Sequence, residues 1–491
     1  MQGRLVCFFV SGIKSSVLGV CRGYCTSLRL LPMSRPTRFP FLVAFCIFAA
    51  GCGMTSARPA SAQGMLERGA AVLEQARADV EVLASDSLKG RGYLYDGHTK
   101  AARYIQERFR EAGLQPVGDS YYQPFILTVD VFPETPELSV NREALSPGAD
   151  FLVYASSGSG EAEAIERVLQ AGSGVVLPRR INAYGEAGSS VRDAVVVLEE
   201  VVPDSLRAMA TGEMQGLLSV EARVEVAAEL GAQAVIFLTD RLMFGGAFHN
   251  ASIPVFQVKR EAWPETVNQV SYRVRGEQDR GVQTQNVLGW LPGTAQPDSF
   301  IVLMAHYDHH GAHGEALYFP GANDNASGVA LLLALADHFG ANPLRYSILF
   351  AAFSGEELGL IGSHHFITHP PVDLARTVLL LNFDMVASGE AGVMAVGGVD
   401  YPDLFADLAE VNASLGSVPL GKRSNAPNSD HFLFLQRGIP GFFLYTNRGT
   451  QPYHHVDDRP ETLEWDDFLH VYALSKAFLE QQAGDRSLEG P

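Results

Sequence analysis

Three short apolar runs between residues 301 and 384 each end in acidic or imidazole side chains. They read IVLMA at 301–305, SILFAAF at 347–353 and TVLLLNF at 377–383. Continuous Val, Ile, Leu and Phe over this length is the pattern of a strand buried on both faces, as in a parallel sheet. The runs lead into His306-Tyr307-Asp308, Ser354-Gly355-Glu356-Glu357 and Asp384. Ligands of an open parallel sheet bind outside the carboxyl ends of its strands. The pattern therefore predicts one crevice holding His306, Asp308, Glu356, Glu357 and Asp384. Asp324 joins them, just before a helical pattern over 328–339.

Imidazole and carboxylate together are zinc ligands, and a catalytic zinc site leaves one position open. One carboxylate can bridge two metals, and a spare carboxylate beside them can accept a proton. The neighbours Glu356 and Glu357 offer one oxygen donor and one base, and spacing alone does not say which is which. Any one of these acids is also a plausible helix-start or surface residue. Their recurrence at successive strand ends favours a site.

At these residues a family resemblance becomes specific. AHYDH, PGANDNASG, SGEELGLIGS, NFDM and the later YHHVDD resemble the five metal-binding motifs of the co-catalytic zinc aminopeptidases, metallopeptidase clan MH, family 28. The resemblance spans about residues 80–480. It implies two Zn2+ ions, with His306 and Asp384 on one, Glu357 and His454 on the other, and Asp324 bridging. It implies Glu356 as general base and Asp308 as the carboxylate that orients the His306 imidazole. In YHHVDDRPETL, either His454 or His455 satisfies the pattern locally. Alignment on Asp458 and Leu463 favours His454, with Tyr453 beside it as an oxyanion stabiliser. The other histidines, His309, His310, His313, His364 and His365, are expected at the surface or behind the ligands.

The whole chain is consistent with this. At 491 residues and 47% apolar composition it can form more than one domain. A net charge of −18 argues against nucleic-acid binding, which requires a basic face. All five cysteines lie in the first 52 residues, so the remainder has neither disulfides nor thiolate zinc ligands. Of 14 histidines, 12 lie beyond residue 300.

The N-terminus reads as an export signal. Arg35 and Arg38 precede a short apolar run over 39–50 that ends Ala49-Ala50-Gly51-Cys52. This resembles a bacterial lipobox, whose cysteine is lipidated. Gly53 follows, with no Asp to suggest inner-membrane retention, so an outer-membrane lipoprotein facing the periplasm or the cell surface is expected. Met33 fits as the true start. An uncleaved anchor is the competing reading, and the run is short for it.

Residues 53–64 read as a polar tether. Helical periodicity follows from 65 to 113, broken at Lys89-Gly90-Arg91-Gly92. Its apolar stripe of Ala101, Ile105 and Phe109 suggests core packing. Residues 140–283 interrupt the domain, with strand patterns at 194–200 and 253–263 and a helix–strand unit at 222–240. This insert resembles a protease-associated (PA) domain, and either an access-shaping lid or an inert spacer is consistent with it. The chain re-enters the peptidase domain at 284, giving a zinc-peptidase domain from 65–139 and 284–482. Asp430 and His431 are candidates for pocket lining or for structural hydrogen bonding. Three Asn-Ala-Ser sequons (Asn250, Asn325, Asn412) read as chance matches.

The expected fold is α/β: a three-layer α/β/α zinc-peptidase domain with a mixed sheet, plus a small β-rich insert. The implied reaction is release of N-terminal amino acids from peptides by metal-bound water, with Glu356 as base. The alternatives are a carboxypeptidase of the same fold, a one-zinc glutaminyl cyclase and a non-enzymatic binding lipoprotein. The sequence leaves side-chain preference and oligomeric state open.

Overall fold

The computed structural model describes residues 60–185, 191–245, 251–389, 391–447 and 452–484. The export segment and Cys52 lie outside these residues. The first helix begins at Ala60, within the stretch expected as a tether.

A nine-stranded mixed sheet forms the centre. Its strands are β1 (Gln115–Pro116), β2 (Tyr122–Val131), β3 (Glu277–Leu291), β4 (Gln296–His306), β5 (Tyr346–Phe353), β6 (Thr377–Phe383), β7 (Val393–Val396), β8 (Leu420–Arg423) and β9 (Gly441–Thr446). The order is β1-β3-β5-β4-β6-β9-β7-β8, with β2 also on β3. The central β5, β4, β6 and β9 run parallel. All eight residues of β5 are buried, as its unbroken apolar run requires.

The helices are α1 (Ala60–Leu83), α2 (Gly97–Glu111), α3 (Gly328–Ala341), α4 (Ile361–Thr368), α5 (Pro402–Ser414) and α6 (Asp466–Gly484). Helix α3 is apolar nearly all round because it lies between the sheet and α1, α2 and α6. A helix of that composition belongs inside a core. Each fully buried Leu or Val there contributes roughly 1.5–3 kcal/mol. The opposite sheet face packs Phe366 and Ile367 of α4 with Phe434 and Leu435. Three layers result.

The sequence pattern did not reveal β2, which pairs with the N-terminal part of β3 through ten registered positions. In this ribbon β2 alternates exposed and buried residues, and its partner segment 277–283 is mostly exposed and polar, so neither shows a continuous buried run.

Between β2 and β3 the described residues form two small sheets and a two-stranded ribbon, Val176–Leu177 with Ile181–Asn182. One has five strands in the order Phe151–Val153, Val255–Lys259, Ala234–Thr239, Val195–Glu199, Val168–Gln170, parallel except for the first pairing. Helix Val220–Glu229 packs on it, and Ser219 Oγ accepts the Ala222 N–H at its N-terminus. The other sheet pairs Glu143–Ala144, Glu137–Val140, Val270–Val274 and Gly160–Ile165. These elements span 137–274, whereas residues 277–283 already belong to β3.

Candidate metal centre

Four acid-bearing segments meet at the carboxyl ends of β4, β5 and β6. His306 is the last residue of β4, Glu356 and Glu357 follow β5, and Asp384 follows β6. Asp324 lies in the tight turn before α3, where the Asp324–Asn325 peptide bond is cis. Side chains of this turn hold the loop after β6. Asn325 Oδ1 accepts the Met385 N–H at 3.2 Å, Ser327 Oγ the Val386 N–H at 3.0 Å, and Asn323 Oδ1 the Ala387 N–H at 3.1 Å. Asn325 and Asn412 are buried, so these sequons do not present free side chains.

The ligand atoms fall into two groups that share Asp324. In the first, His306 Nε2 lies 3.4 Å from Asp324 Oδ1 and 3.5 Å from Asp384 Oδ1. In the second, His454 Nε2 lies 3.1 Å from Asp324 Oδ2 and 3.4 Å from Glu357 Oε2. Ligands at about 2.0–2.1 Å from a tetrahedral zinc lie roughly 3.3 Å apart. Both groups fit that spacing, and Asp384 Oδ1 makes no hydrogen bond. His455 is turned away, its Nδ1 accepting the Asp457 N–H at 3.2 Å.

The electrostatics also ask for cations. Burial opposes charge on His454, yet Glu357 and Asp324 outweigh it and push its pKa up to about 9. Burial likewise opposes charge on His306, and Glu356 and Asp384 overcome it to raise that pKa well above the usual value. Burial, reinforced by the charge on Glu357, pushes the Glu356 carboxyl well above its ordinary range. These shifts show an excess of buried negative charge, which a bound cation offsets.

Asp308 departs from expectation in one respect. Its backbone carbonyl, not its carboxylate, is nearest to His306 Nδ1, at 3.2 Å against 3.9 Å. The carboxylate is drawn instead to the Glu356 N–H at 3.1 Å and the Tyr93 hydroxyl at 3.3 Å. Tyr453 stacks on the His454 ring, with centroids 3.7 Å apart. His309, His310 and His313 are buried rather than at the surface. His309 Nδ1 lies 2.6 Å from Glu357 Oε1.

Two positioning residues escaped the sequence reading. Asp458 accepts the backbone N–H groups of Asn323 and Asp324. Arg91, wholly buried, donates to five carbonyls: Tyr307, Leu83, Pro320, Gly321 and Asp324. Its only sequence signal was an arginine between two glycines in a helix break.

The centre opens into a cleft of about 1190 Å³, whose walls include Arg241, Phe443, Tyr445, Tyr453 and Glu464. Asp430 and His431 are fully buried and are not among its lining residues.

A zinc-peptidase-type α/β/α domain with a two-lobed carboxylate–imidazole centre is thus defined. Residues 286–479, less than half of the chain, match the model of Peptidase family M28. The aminopeptidase YwaD of Bacillus subtilis is 28% identical over 288 residues, covering 55% of this chain and 59% of YwaD. A probable lipoprotein aminopeptidase, LpqL of Mycobacterium tuberculosis, is 32% identical over 38% of this chain and 37% of LpqL. The chain therefore spans less than two thirds of these curated relatives. A zinc aminopeptidase structure from B. subtilis superimposes with TM-score 0.61 at 20% identity, covering 83% of this chain and 95% of that one. An M28 peptidase precursor from Shewanella amazonensis gives 0.61 at 15% identity, covering 87% and 98%. These likenesses show the shared fold.

Proposed function

We propose that the chain is a zinc-dependent exopeptidase that releases N-terminal amino acids from peptides. The observation that carries this is the pair of ligand groups joined by Asp324, with neighbouring ligand atoms 3.1–3.5 Å apart. His306 and Asp384 would hold one Zn2+, Glu357 and His454 the other, and Asp324 both. Bound zinc supplies Lewis acidity, which makes water a nucleophile at neutral pH and polarises a carbonyl.

The protein's own groups do the rest. Glu356 lies beside the first group, within metal-binding reach of His306 and Asp384. Its carboxylate is 4.0 Å from His306 Nε2, farther than the 3.4–3.5 Å of Asp324 and Asp384, and we assign it the role of base. Its carboxylate accepts the proton of the attacking water and passes it to the leaving amine. The Tyr453 hydroxyl, at the cleft wall, donates to the carbonyl oxygen as negative charge develops there. Asp308 holds the Glu356 backbone and, through its carbonyl, the His306 ring. The names of the curated relatives favour aminopeptidase. Arg241 in the cleft is the one observation that favours a carboxypeptidase, since a guanidinium suits a terminal carboxylate.

The segment 137–274 is proposed as a PA-like inserted module. Cys52 is proposed as a lipid anchor on an exported protein. Its lipobox-like sequence supports this, as does the lipoprotein description of LpqL. Among the described residues no helix is long and apolar enough to cross a membrane.

Metal reconstitution tests the centre. Protein stripped by a chelator should regain full activity only with two zinc equivalents. Full activity with a single zinc would refute the shared role of Asp324.

A further inference from the structure

We propose that the insert is a working part of the metal centre: its segment 242–244 holds the His454 imidazole in the orientation a metal ligand needs. This rests on the reading of His454 as a ligand given above.

His454 and Phe244, 210 residues apart in sequence, exchange two hydrogen bonds. The Phe244 N–H donates to the His454 carbonyl at 2.9 Å. The Phe244 carbonyl lies 2.8 Å from His454 Nδ1. A carbonyl only accepts, so Nδ1 must carry the proton. The neutral ring then presents the Nε2 lone pair towards Asp324 and Glu357, which is the tautomer a metal requires. His454 also has φ of 50°, a left-handed conformation uncommon outside glycine. The paired bonds fix that backbone from both its carbonyl and its side chain.

The holding segment is itself tied down at both ends. The Gln257 amide accepts the Met243 N–H at 3.0 Å and donates to the Met243 carbonyl at 2.7 Å. Gln257 is buried within the strand Val255–Lys259 of the five-stranded sheet, and Leu242 is buried in the insert's core. On the other side, the Phe244 ring sits against His310, His313 and Phe319, with centroids 5.1, 4.7 and 5.0 Å away. This gives His310 and His313 a task as walls of an aromatic seat. A continuous path of contacts thus runs from the insert's sheet through Gln257, Met243 and Phe244 to His454. An inert spacer would need none of it.

The experiment uses the full chain loaded with zinc, challenged by a chromogenic chelator that reports zinc release. Phe244→Ala empties the seat and Gln257→Leu removes both bonds to Met243. Each should loosen one of the two zincs by about 10- to 100-fold and leave the other at its wild-type rate. Phe237→Leu, in the insert's other core layer, is the control. It should lower the melting temperature yet release zinc as wild type does. Wild-type release from both Phe244→Ala and Gln257→Leu overturns the proposal. So does equal zinc loss from Phe237→Leu at matched thermal stability, which would mean general loosening. If Phe244→Ala does not fold, Gln257→Leu decides alone. A His454→Ala protein that keeps both zincs would instead refute the ligand reading.

Discussion

Asp458 Oδ2 accepts the backbone N–H of Asp324 at 3.0 Å, while its other oxygen takes the Asn323 N–H at 2.8 Å. The residue proposed to bridge two zincs is thus aimed by a carboxylate 134 positions downstream. Asp458→Asn keeps the size but sets an NH2 donor against one of these N–H groups. Zinc affinity should fall about 10- to 100-fold, read by chelator competition. A change under about twofold would mean that the turn before α3 holds Asp324 unaided.

Arg91 binds the same turn from the other side, through the Pro320, Gly321 and Asp324 carbonyls. Arg91→Met would leave five buried carbonyls without this donor, each costing about 1–3 kcal/mol if unsatisfied. With partial relaxation, a loss of about 3–5 kcal/mol is expected in denaturant unfolding. Arg91→Lys should recover only part of it, because an ammonium cannot fork across five acceptors. Stability within about 1 kcal/mol of wild type for Arg91→Met would contradict this assignment.

Glu356 is proposed as the base rather than as a metal ligand. Glu356→Gln should bind zinc as wild type does and lose about two to four orders of magnitude in kcat. Elemental analysis and steady-state kinetics check both halves. A variant retaining a tenth or more of wild-type turnover would remove Glu356 from the reaction.

Stability of the stripped protein and the stabilisation that zinc adds should change with pH in opposite senses. In the metal-free protein the His454 pKa is raised to about 9. That stabilises the fold below the unfolded imidazole value near 6.5 and is lost as pH rises through 9. Burial pushes the Asp458 carboxyl up to about 7, so the fold also loses stability as pH climbs from about 4 to 7. The melting temperature of stripped protein should therefore fall from pH 5 to 9. Zinc must displace these protons, so its stabilising effect should grow over the same range. Calorimetry of both forms checks this, and a stripped protein that gains stability towards pH 9 would contradict it.

The sequence made the parallel centre of the sheet legible because β4, β5 and β6 are continuous apolar runs ending in chemistry. Helix α3 and the insert's strands at Val195–Glu199 and Ala234–Thr239 were visible for the same reason. The structure sets His454 beside Asp324 and Glu357 and turns His455 towards the Asp457 N–H; the ligand role of His454 is the proposal made above. What stayed hidden acts through the backbone. Arg91 and Asp458 bind carbonyls and N–H groups of distant turns, and no residue pattern announces such partners. The β2–β3 ribbon is half polar and so resembles a loop. Phe244 is one aromatic in a glycine-rich stretch, and its partner His454 lies at the far end of the chain.

The central claim is tested most directly by mass spectrometry of a mixed peptide pool incubated with residues 53–491, with and without chelator. The account predicts ladders that shorten from free N-termini, stop with chelator and return with zinc. Ladders from the C-terminus would make Arg241 the recognition group and the enzyme a carboxypeptidase. An unchanged pool from protein holding two zincs would contradict the exopeptidase account.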